Sequence, residues 1–204
     1  MKYKKVVKGS FVDRPNRFIA HVKIDDEIQT VHVKNTGRCR ELLLPDAEVY
    51  LEVADNPARK TAYDLIAVYK ENFGLINIDS QAPNKVAKEW LETQNYDVVK
   101  PEYKYGNSRI DFYMKKGVQE YLMEVKGCTL ERQGIGYFPD APTDYECAVA
   151  FVIQMEGVAE VRANEETHPE FKDALEEARA AGVKVLFLMC KVEKDSLRVV
   201  EQRE

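Results

Sequence analysis

Two carboxylates and one amine lie at short spacing on two consecutive segments that the sequence pattern predicts to be β-strands. Asp111 lies in the segment 109–114, and Glu124 and Lys126 lie in the next one, 121–128. Side chains two apart on a strand share a face, so Glu124 and Lys126 point the same way, and a hairpin between the strands brings Asp111 beside them. Carboxylate oxygens suit Mg²⁺ or Mn²⁺, which bind together with water and substrate phosphate. The set predicts a metal-dependent phosphodiesterase with the metal at Asp111 and Glu124.

Lys126 is expected to orient the attacking nucleophile or to stabilise the transition state. The Glu-x-Lys pattern alone is weak, because charged residues make up 32% of the chain and the pattern recurs at Glu102 and Glu170. Only the copy at Glu124 sits in an apolar strand and follows a strand that carries an aspartate. The alternative is that these are ordinary outward-facing polar residues of a half-exposed sheet.

The elements around this set predict an α/β domain over residues 81–204. Asn84 can cap a helix that runs to Gln94, and strands follow at 102–105, 109–114 and 121–128. A second helix is predicted between Thr167 and Gly182, before a nearly continuous apolar strand at 183–190. Such a strand beside a helix is typical of a buried, partly parallel sheet, so we expect a mixed sheet flanked by helices.

Residues 1–80 predict a different kind of domain. Segments 17–24 and 28–34 alternate apolar and polar residues around a short acidic turn, and further strands are expected at 48–53, 61–69 and 73–78. Short antiparallel strands must hide their edges, and a small closed barrel of the OB type does so economically. The whole chain is therefore expected to combine an OB-like β-barrel with an α/β domain, in an α+β arrangement of two domains divided near residue 80.

The composition excludes a strongly basic nucleic-acid coat protein. The 204 residues include 30 lysines and arginines against 35 aspartates and glutamates, a formal net charge of -5. The first 40 residues nevertheless hold 10 basic and 4 acidic side chains, so one end is basic. Four widely spaced cysteines are typical of reduced thiols in a cytoplasmic protein, and the apolar runs are far shorter than the ~20 residues of a membrane span.

Blocks spread along most of the chain resemble the sugar fermentation stimulation protein family of bacteria and archaea. In chain order they are RPNRF (14–18), HVKNTG (32–37), DNPARK (55–60), APNK (82–85), YGNSRIDF (105–112), EVKGCTL (124–130) and FPDAPT (138–143). The resemblance implies an N-terminal OB-fold domain joined to a domain like the PD-(D/E)xK nucleases. It also implies DNA binding and a link to the regulation of maltose metabolism.

The resemblance assigns the nuclease-type roles to Asp111, Glu124 and Lys126. It adds Glu89, on the helix before the sheet, where this superfamily often has a further acid. A solvent-facing helix glutamate is the alternative interpretation of Glu89. Nuclease-like cores also persist as binding modules, so membership alone does not imply catalysis.

Eight basic residues are predicted to contact nucleic acid. They are Arg14, Arg17, Lys34, Arg38, Arg40, Arg59, Lys60 and Arg109. An OB barrel binds single strands with a basic groove and aromatic platforms, for which Tyr3, Phe11 and Phe18 are candidates. The alternative is a solubilising surface with those aromatic rings in the core, and Arg109 can equally pair with Asp111.

The chain departs from the family after Thr143. Relatives are expected to continue into a helix that contains Arg-Gly and His-Leu, whereas here Asp144 and Tyr145 lead directly into the next apolar strand. A parallel crossover normally needs a dozen or more residues and a helix, so either the strands connect differently or a segment is missing from the sequence. We favour the second hypothesis, which an intact mass different from 23.5 kDa would support.

Three classes of function follow. The first is a DNA-binding protein that hydrolyses phosphodiester bonds with Mg²⁺ or Mn²⁺. The second is a non-catalytic DNA-binding regulator of sugar metabolism, which the acidic charge and the missing helix favour. The third, a protein-binding adaptor, leaves the basic N-terminal end unexplained.

Overall fold

The computed structural model describes residues 1–35, 37–106, 108–138, 147–165 and 170–204. Its first part consists of strands alone. They are β1 (Val6–Asp13), β2 (Ile19–Ile24), β3 (Glu27–Val33), β4 (Glu48–Val53), β5 (Tyr63–Lys70) and β6 (Gly74–Asn77). β2 and β3 form the predicted hairpin, in which Asp25 and Asp26 have φ of 47° and 68°, as a tight two-residue hairpin turn requires.

The first five strands close into a barrel. Their order is β3-β2-β1-β4-β5, and β3 also pairs with β5, with His32 opposite Asp64 and Val33 opposite Leu65. The predicted OB-type barrel is confirmed. The expectation of purely antiparallel strands was wrong, because the pair that closes the barrel is parallel. This parallel pair removes two free strand edges.

The second part combines strands with two helices. In chain order it contains α1 (Ala82–Glu92), β7 (Val98–Tyr105), β8 (Ser108–Lys116), β9 (Gln119–Cys128), β10 (Leu130–Arg132), β11 (Ile135–Phe138), β12 (Cys147–Ile153), β13 (Glu160–Ala163), α2 (Glu170–Ala180), β14 (Lys184–Glu193) and β15 (Ser196–Arg203). The division predicted near residue 80 falls between β6 and α1. The predicted cap at Thr167 lies outside the described residues.

A mixed six-stranded sheet in the order β15-β14-β12-β9-β8-β7 carries the candidate site. β12 is parallel to both β9 and β14, and the other neighbours are antiparallel. The predicted mixed sheet with helices is therefore confirmed. A smaller sheet, β10-β11-β13, combines β10 and β11, which lie between β9 and β12 in the chain, with β13, which follows β12.

The two parts share one hydrophobic core. The largest cluster of buried side chains contains Val22 and Leu65 from the barrel together with Phe151 and Phe187 from the mixed sheet. A second cluster lies between α1 and the other face of the mixed sheet, where Val86 and other α1 side chains pack. Burial of apolar surface on both faces fixes the central strands of the sheet.

A buried polar network also joins the barrel to the sheet. Nε2 of Gln154 donates to Oδ1 of Asn77 at 2.8 Å and to the carbonyl oxygen of Asp79 at 3.1 Å. Oδ1 of Asp79 accepts from the backbone N–H of Gln81, the residue before α1, at 2.9 Å. Gly127 passes close to Gln154, since a Cβ at Gly127 would overlap its Oε1. The network therefore fixes the start of α1 against β9.

Three of the cysteines, Cys39, Cys128 and Cys190, are buried. Burial raises the pKa of Cys39 to about 11 and that of Cys190 to about 12, so both remain protonated thiols at neutral pH. Of the described helices, none has the length and hydropathy needed to cross a membrane.

Candidate active site

The hairpin of β8 and β9 brings Asp111 to Glu124 and Lys126. The two strands pair from Lys116 and Gln119 to Phe112 and Met123. Beyond that pair, Oδ2 of Asp111 accepts a hydrogen bond from the backbone N–H of Val125 at 2.8 Å. The carboxylate of Asp111 is thus bound to the residue that lies between Glu124 and Lys126.

Asn84 on α1 holds the other oxygen of the same carboxylate. Its Nδ2 donates to Oδ1 of Asp111 at 2.7 Å. Asn84 was predicted to cap the helix, which was wrong: α1 begins at Ala82, Gln81 is the N-cap residue, and Asn84 lies inside the first turn. Pro83 near the helix start explains the earlier beginning, because proline fits the first turn. The sequence signal for Asn84 was its place in the family block APNK.

Glu124 and Lys126 point to the same side of β9, as their spacing predicts. Nζ of Lys126 lies 3.1 Å from Oε1 of Glu124, and the two side chains are 33% and 37% exposed. Buried Val125 between them packs towards α1 and fixes this orientation. Both charged side chains are therefore partly accessible to a substrate.

The donor set fits a small divalent cation. Each oxygen of Asp111 accepts one hydrogen bond, and a carboxylate oxygen has two lone pairs, so both retain acceptor capacity. Among the described residues no group of three or more His, Cys, Asp or Glu side chains meets in one place. Mg²⁺ typically uses one or two carboxylates and completes its octahedron with water and phosphate oxygens. Asp111 and Glu124 supply two carboxylates on adjoining strands.

Glu89 does not join this set. Its carboxylate is bound by the N-terminal ammonium group of Met1, which also donates to the carbonyl oxygen of Leu197 at 3.0 Å. Leu197 belongs to β15 at the far edge of the sheet from β8. The α1 residue that contacts Asp111 is Asn84. The contact of Glu89 with Met1 gives no geometric support to its implied role as a further acid.

The eight basic residues predicted to contact nucleic acid fall into two groups. Arg14 belongs to the engaged group, because its guanidinium donates to four backbone carbonyls at 2.6–2.8 Å. Arg109 pairs with Glu102 at 2.7 Å rather than with Asp111. In both cases the cationic group already has a partner within the protein.

Lys34 and Arg59 are engaged around a buried carboxylate. Asp64, whose side chain is 4% exposed, accepts from both nitrogens of the Arg59 fork at 2.6 and 2.9 Å and lies 3.0 Å from Lys34. Nδ1 of His32 lies 3.0 Å from the same carboxylate. Burial alone would raise the pKa of Asp64, but the hydrogen bonds from Arg59, Lys34 and His32 outweigh it and hold the pKa well below its usual range.

The remaining four are exposed. Arg17, Arg38, Arg40 and Lys60 make no ion pair through their side chains within the described ranges. The first three line one cavity of the barrel. Of the proposed aromatic platforms, Tyr3 (4% exposed) and Phe11 (3%) belong to the core, while Phe18 is 52% exposed. Of the three aromatic rings predicted to stack on bases, Phe18 alone is therefore accessible.

Family comparisons agree with this architecture. A family model described as the SfsA N-terminal OB domain matches residues 12–78. A second, described as the sugar fermentation stimulation protein RE domain, matches residues 81–144 and 144–196. The chain belongs to the sugar fermentation stimulation protein family. The resemblance inferred from its sequence blocks is confirmed.

Relatives in this family cover the whole chain. The sugar fermentation stimulation protein homologue of Ruminiclostridium cellulolyticum is 47% identical over 224 aligned positions, which cover 100% of this chain and 99% of the relative. That of Clostridium tetani is 42% identical and covers 98% and 96%. A solved structure of Pyrococcus furiosus SfsA in complex with Ca²⁺ has a TM-score of 0.80 at 22% identity, covering 99% of this chain and 96% of that one, and so shares the fold.

The chain is shorter than a relative that it matches over its whole length. The alignment with the Ruminiclostridium protein spans 224 positions and this chain has 204 residues, so at least 20 aligned positions lack a counterpart here. The second family model matches in two segments that meet at residue 144. That point is where the sequence departs from the family blocks. Residues 139–146 lie outside the described part of the structure.

Proposed function

We propose that this protein binds DNA in the cytoplasm and hydrolyses its phosphodiester bonds with a divalent cation held by Asp111 and Glu124. The observation that supports this most is that Asp111, held by Asn84, accepts a hydrogen bond from the backbone of Val125, which lies between Glu124 and Lys126. Two carboxylates and an ammonium group on adjoining strands supply the groups that a metal-dependent phosphodiesterase uses.

Each side chain has a separate task in this proposal. Asp111 is fixed by its two hydrogen bonds and presents its free lone pairs, and Glu124 supplies the second hard ligand. When bound, Mg²⁺ or Mn²⁺ lowers the pKa of a coordinated water and neutralises charge on the attacked phosphate. Lys126 orients the attacking water or donates to a non-bridging phosphate oxygen. The water oxygen forms the new P–O bond, the bond to the leaving sugar oxygen breaks, and that oxygen takes a proton from solvent.

The neighbouring fold adds support for a divalent cation. The Pyrococcus furiosus protein is described as a complex with Ca²⁺, a hard cation that prefers oxygen ligands. Ca²⁺ and Mg²⁺ share carboxylate ligands, although Mg²⁺ demands a tighter octahedral geometry. The acidic pair of this chain offers the same type of ligand.

The test is cleavage of labelled single- and double-stranded DNA and RNA in Mg²⁺, Mn²⁺ or chelator. Asp111→Ala and Lys126→Ala should each abolish cleavage, and chelator should do the same. Lys172→Ala is the matched control, because Lys172 is the lysine of another Glu-x-Lys sequence and lies on the exposed face of α2. Cleavage that survives both substitutions would exclude this site.

A second candidate is a non-catalytic DNA-binding regulator of sugar metabolism, including maltose metabolism. The shorter length of this chain favours it, since the alignment with the Ruminiclostridium protein has at least 20 further positions and the second family model is divided at residue 144. In that case the acidic pair acts as a metal-dependent clamp or is no longer used. DNA binding without cleavage under every metal condition supports this candidate over the first.

A further inference from the structure

A cavity of about 550 Å³ opens on the surface of the barrel. It lies between the β1–β2 connection, which contributes Arg17, and the β3–β4 connection, which contributes Arg38 and Arg40. Its apolar wall includes Phe11 and Leu43. The volume is in the range of small-molecule pockets, large enough for one nucleotide unit.

Arg14 builds this cavity without being its ligand group. One end of its guanidinium donates to the carbonyl oxygens of Arg17 and Asn35, and the other to those of Gly37 and Arg38. These bonds tie together two connections that lie more than 20 residues apart in the chain. The backbone at Arg17 and Arg38 is thus fixed on two sides of one opening before any ligand arrives, which lowers the entropic cost of binding.

The cavity carries uncompensated positive charge. Within the described part of the chain, Arg17, Arg38 and Arg40 have no acidic partner. Asp13 is the acidic residue of the lining, and Nδ1 of His21 lies 2.7 Å from its carboxylate. Lys34, Arg59 and Arg109, by contrast, are paired. Guanidinium groups bind phosphate through planar, bidentate hydrogen bonds, so this cavity favours a phosphate ligand.

An exposed aromatic ring lies next to the arginines in the chain. Phe18 follows Arg17 directly and is 52% exposed, and Leu44, between the lining residues Leu43 and Pro45, is 55% exposed. A base can stack on such a ring when it is unstacked from its neighbours. Bases inside a duplex are already covered on both faces. Arginines that can bind phosphate, together with the exposed ring of Phe18, therefore favour single-stranded over double-stranded nucleic acid.

We propose that this arginine cavity binds single-stranded DNA, with phosphate at Arg17, Arg38 and Arg40 and a base on Phe18. The inference rests on the proposed function, which names DNA as the partner. It places the contact with DNA on the barrel, and it does not depend on cleavage. It selects three of the eight basic residues and assigns Arg14 a positioning role.

The experiment is fluorescence anisotropy with a labelled oligothymidylate of about 15 nucleotides, within the range of one OB domain, in chelator so that no cleavage occurs. The variants are R17Q/R38Q/R40Q and Phe18→Ala, and the matched control is Lys60→Gln, an exposed cation outside the cavity. For a single strand the log–log salt slope falls by ~0.7 per lost phosphate contact, so the triple variant should lose about 2 from its slope. Phe18→Ala should weaken binding about tenfold with little change in slope.

Several outcomes would overturn the inference. They are an unchanged slope in the triple variant, an equal loss in Lys60→Gln, a preference for duplex of the same sequence, or no binding by the unmodified protein at low salt. Displacement of the oligonucleotide by thymidine monophosphate at concentrations near that of the protein would indicate a free-nucleotide site instead. Because binding is measured in chelator and hydrolysis is measured separately in Mg²⁺, a failure of hydrolysis and a failure of this site give different results. Thermal melting of each variant checks that the barrel is intact.

Discussion

Asn84 donates a 2.7 Å hydrogen bond to the oxygen of Asp111 that the strand backbone leaves free. The two residues lie on different elements, α1 and β8, and the bond crosses the junction between helix and sheet. Asp111 is thereby held from both sides, by the helix through Oδ1 and by β9 through Oδ2. This fixed orientation is what a cation ligand requires.

Asn84→Ala is expected to weaken divalent-cation binding by about 10- to 100-fold, the usual range for loss of a group that orients a metal ligand. Isothermal titration with Mn²⁺ measures this directly and does not depend on catalysis. Lys88→Ala, on an exposed position of the same helix, is the control and should leave the affinity unchanged. Equal affinities for Asn84→Ala and the unmodified protein would contradict a positioning role.

Arg14→Ala is expected to lower the free energy of unfolding by about 2 to 4 kcal/mol, because four backbone carbonyls lose a charged donor. Arg14→Lys should recover little, since lysine lacks the planar fork. Urea denaturation gives both values. The exposed neighbour Arg17→Ala should change stability by no more than about 0.5 kcal/mol. A similar loss in the free energy of unfolding at both positions would argue against a stabilising role of the four hydrogen bonds of Arg14.

Asp64→Asn is expected to cost about 3 kcal/mol at neutral pH, because Lys34 and Arg59 lose a buried counter-ion. The pKa of Asp64 is depressed on folding, so its contribution is complete above the unfolded value of about 3.9 and is lost as the pH falls towards the folded value. Denaturation at a series of pH values should therefore give a constant difference in the free energy of unfolding between the variant and the unmodified protein from pH 7 to pH 5. That difference should shrink below about pH 4. A gap that stays constant to pH 2 would refute this account.

Gly127→Ala is expected to destabilise the protein by about 1 to 3 kcal/mol through overpacking. A Cβ there would lie 2.9 Å from Cγ of Pro83 and overlap Oε1 of Gln154. Combining it with Gln154→Ala forms a double-mutant cycle, and the cost of Gly127→Ala should shrink when the glutamine is removed. Additive losses would show that the glycine does not act through this contact.

The sequence predicted the placement of Asp111, Glu124 and Lys126 on their strands better than it predicted the contacts around them. Glu124 and Lys126 were found because spacing along one strand is a local property, and Asp111 because a short hairpin fixes its neighbour. Asn84 was assigned to a helix cap, because its contact with Asp111 depends on how α1 packs across the sheet. The contact of Glu89 with Met1 depends on the same packing, since a turn more or less along the helix changes the strand that a side chain faces. The paired state of Arg59 and Lys34 depends on β3 lying beside β5, a pairing that local patterns do not encode.

The barrel and the mixed sheet bury their apolar side chains against each other, and this limits how the chain can be cut. A fragment that ends near residue 80 would leave part of the shared cluster in water, including the side of the core that Phe151 and Phe187 normally cover. We expect neither half to fold autonomously, and calorimetry of the whole chain to show one cooperative transition. The OB region of this protein is thus a unit of topology but not of folding, and it can be exchanged between relatives only together with the surface it packs on.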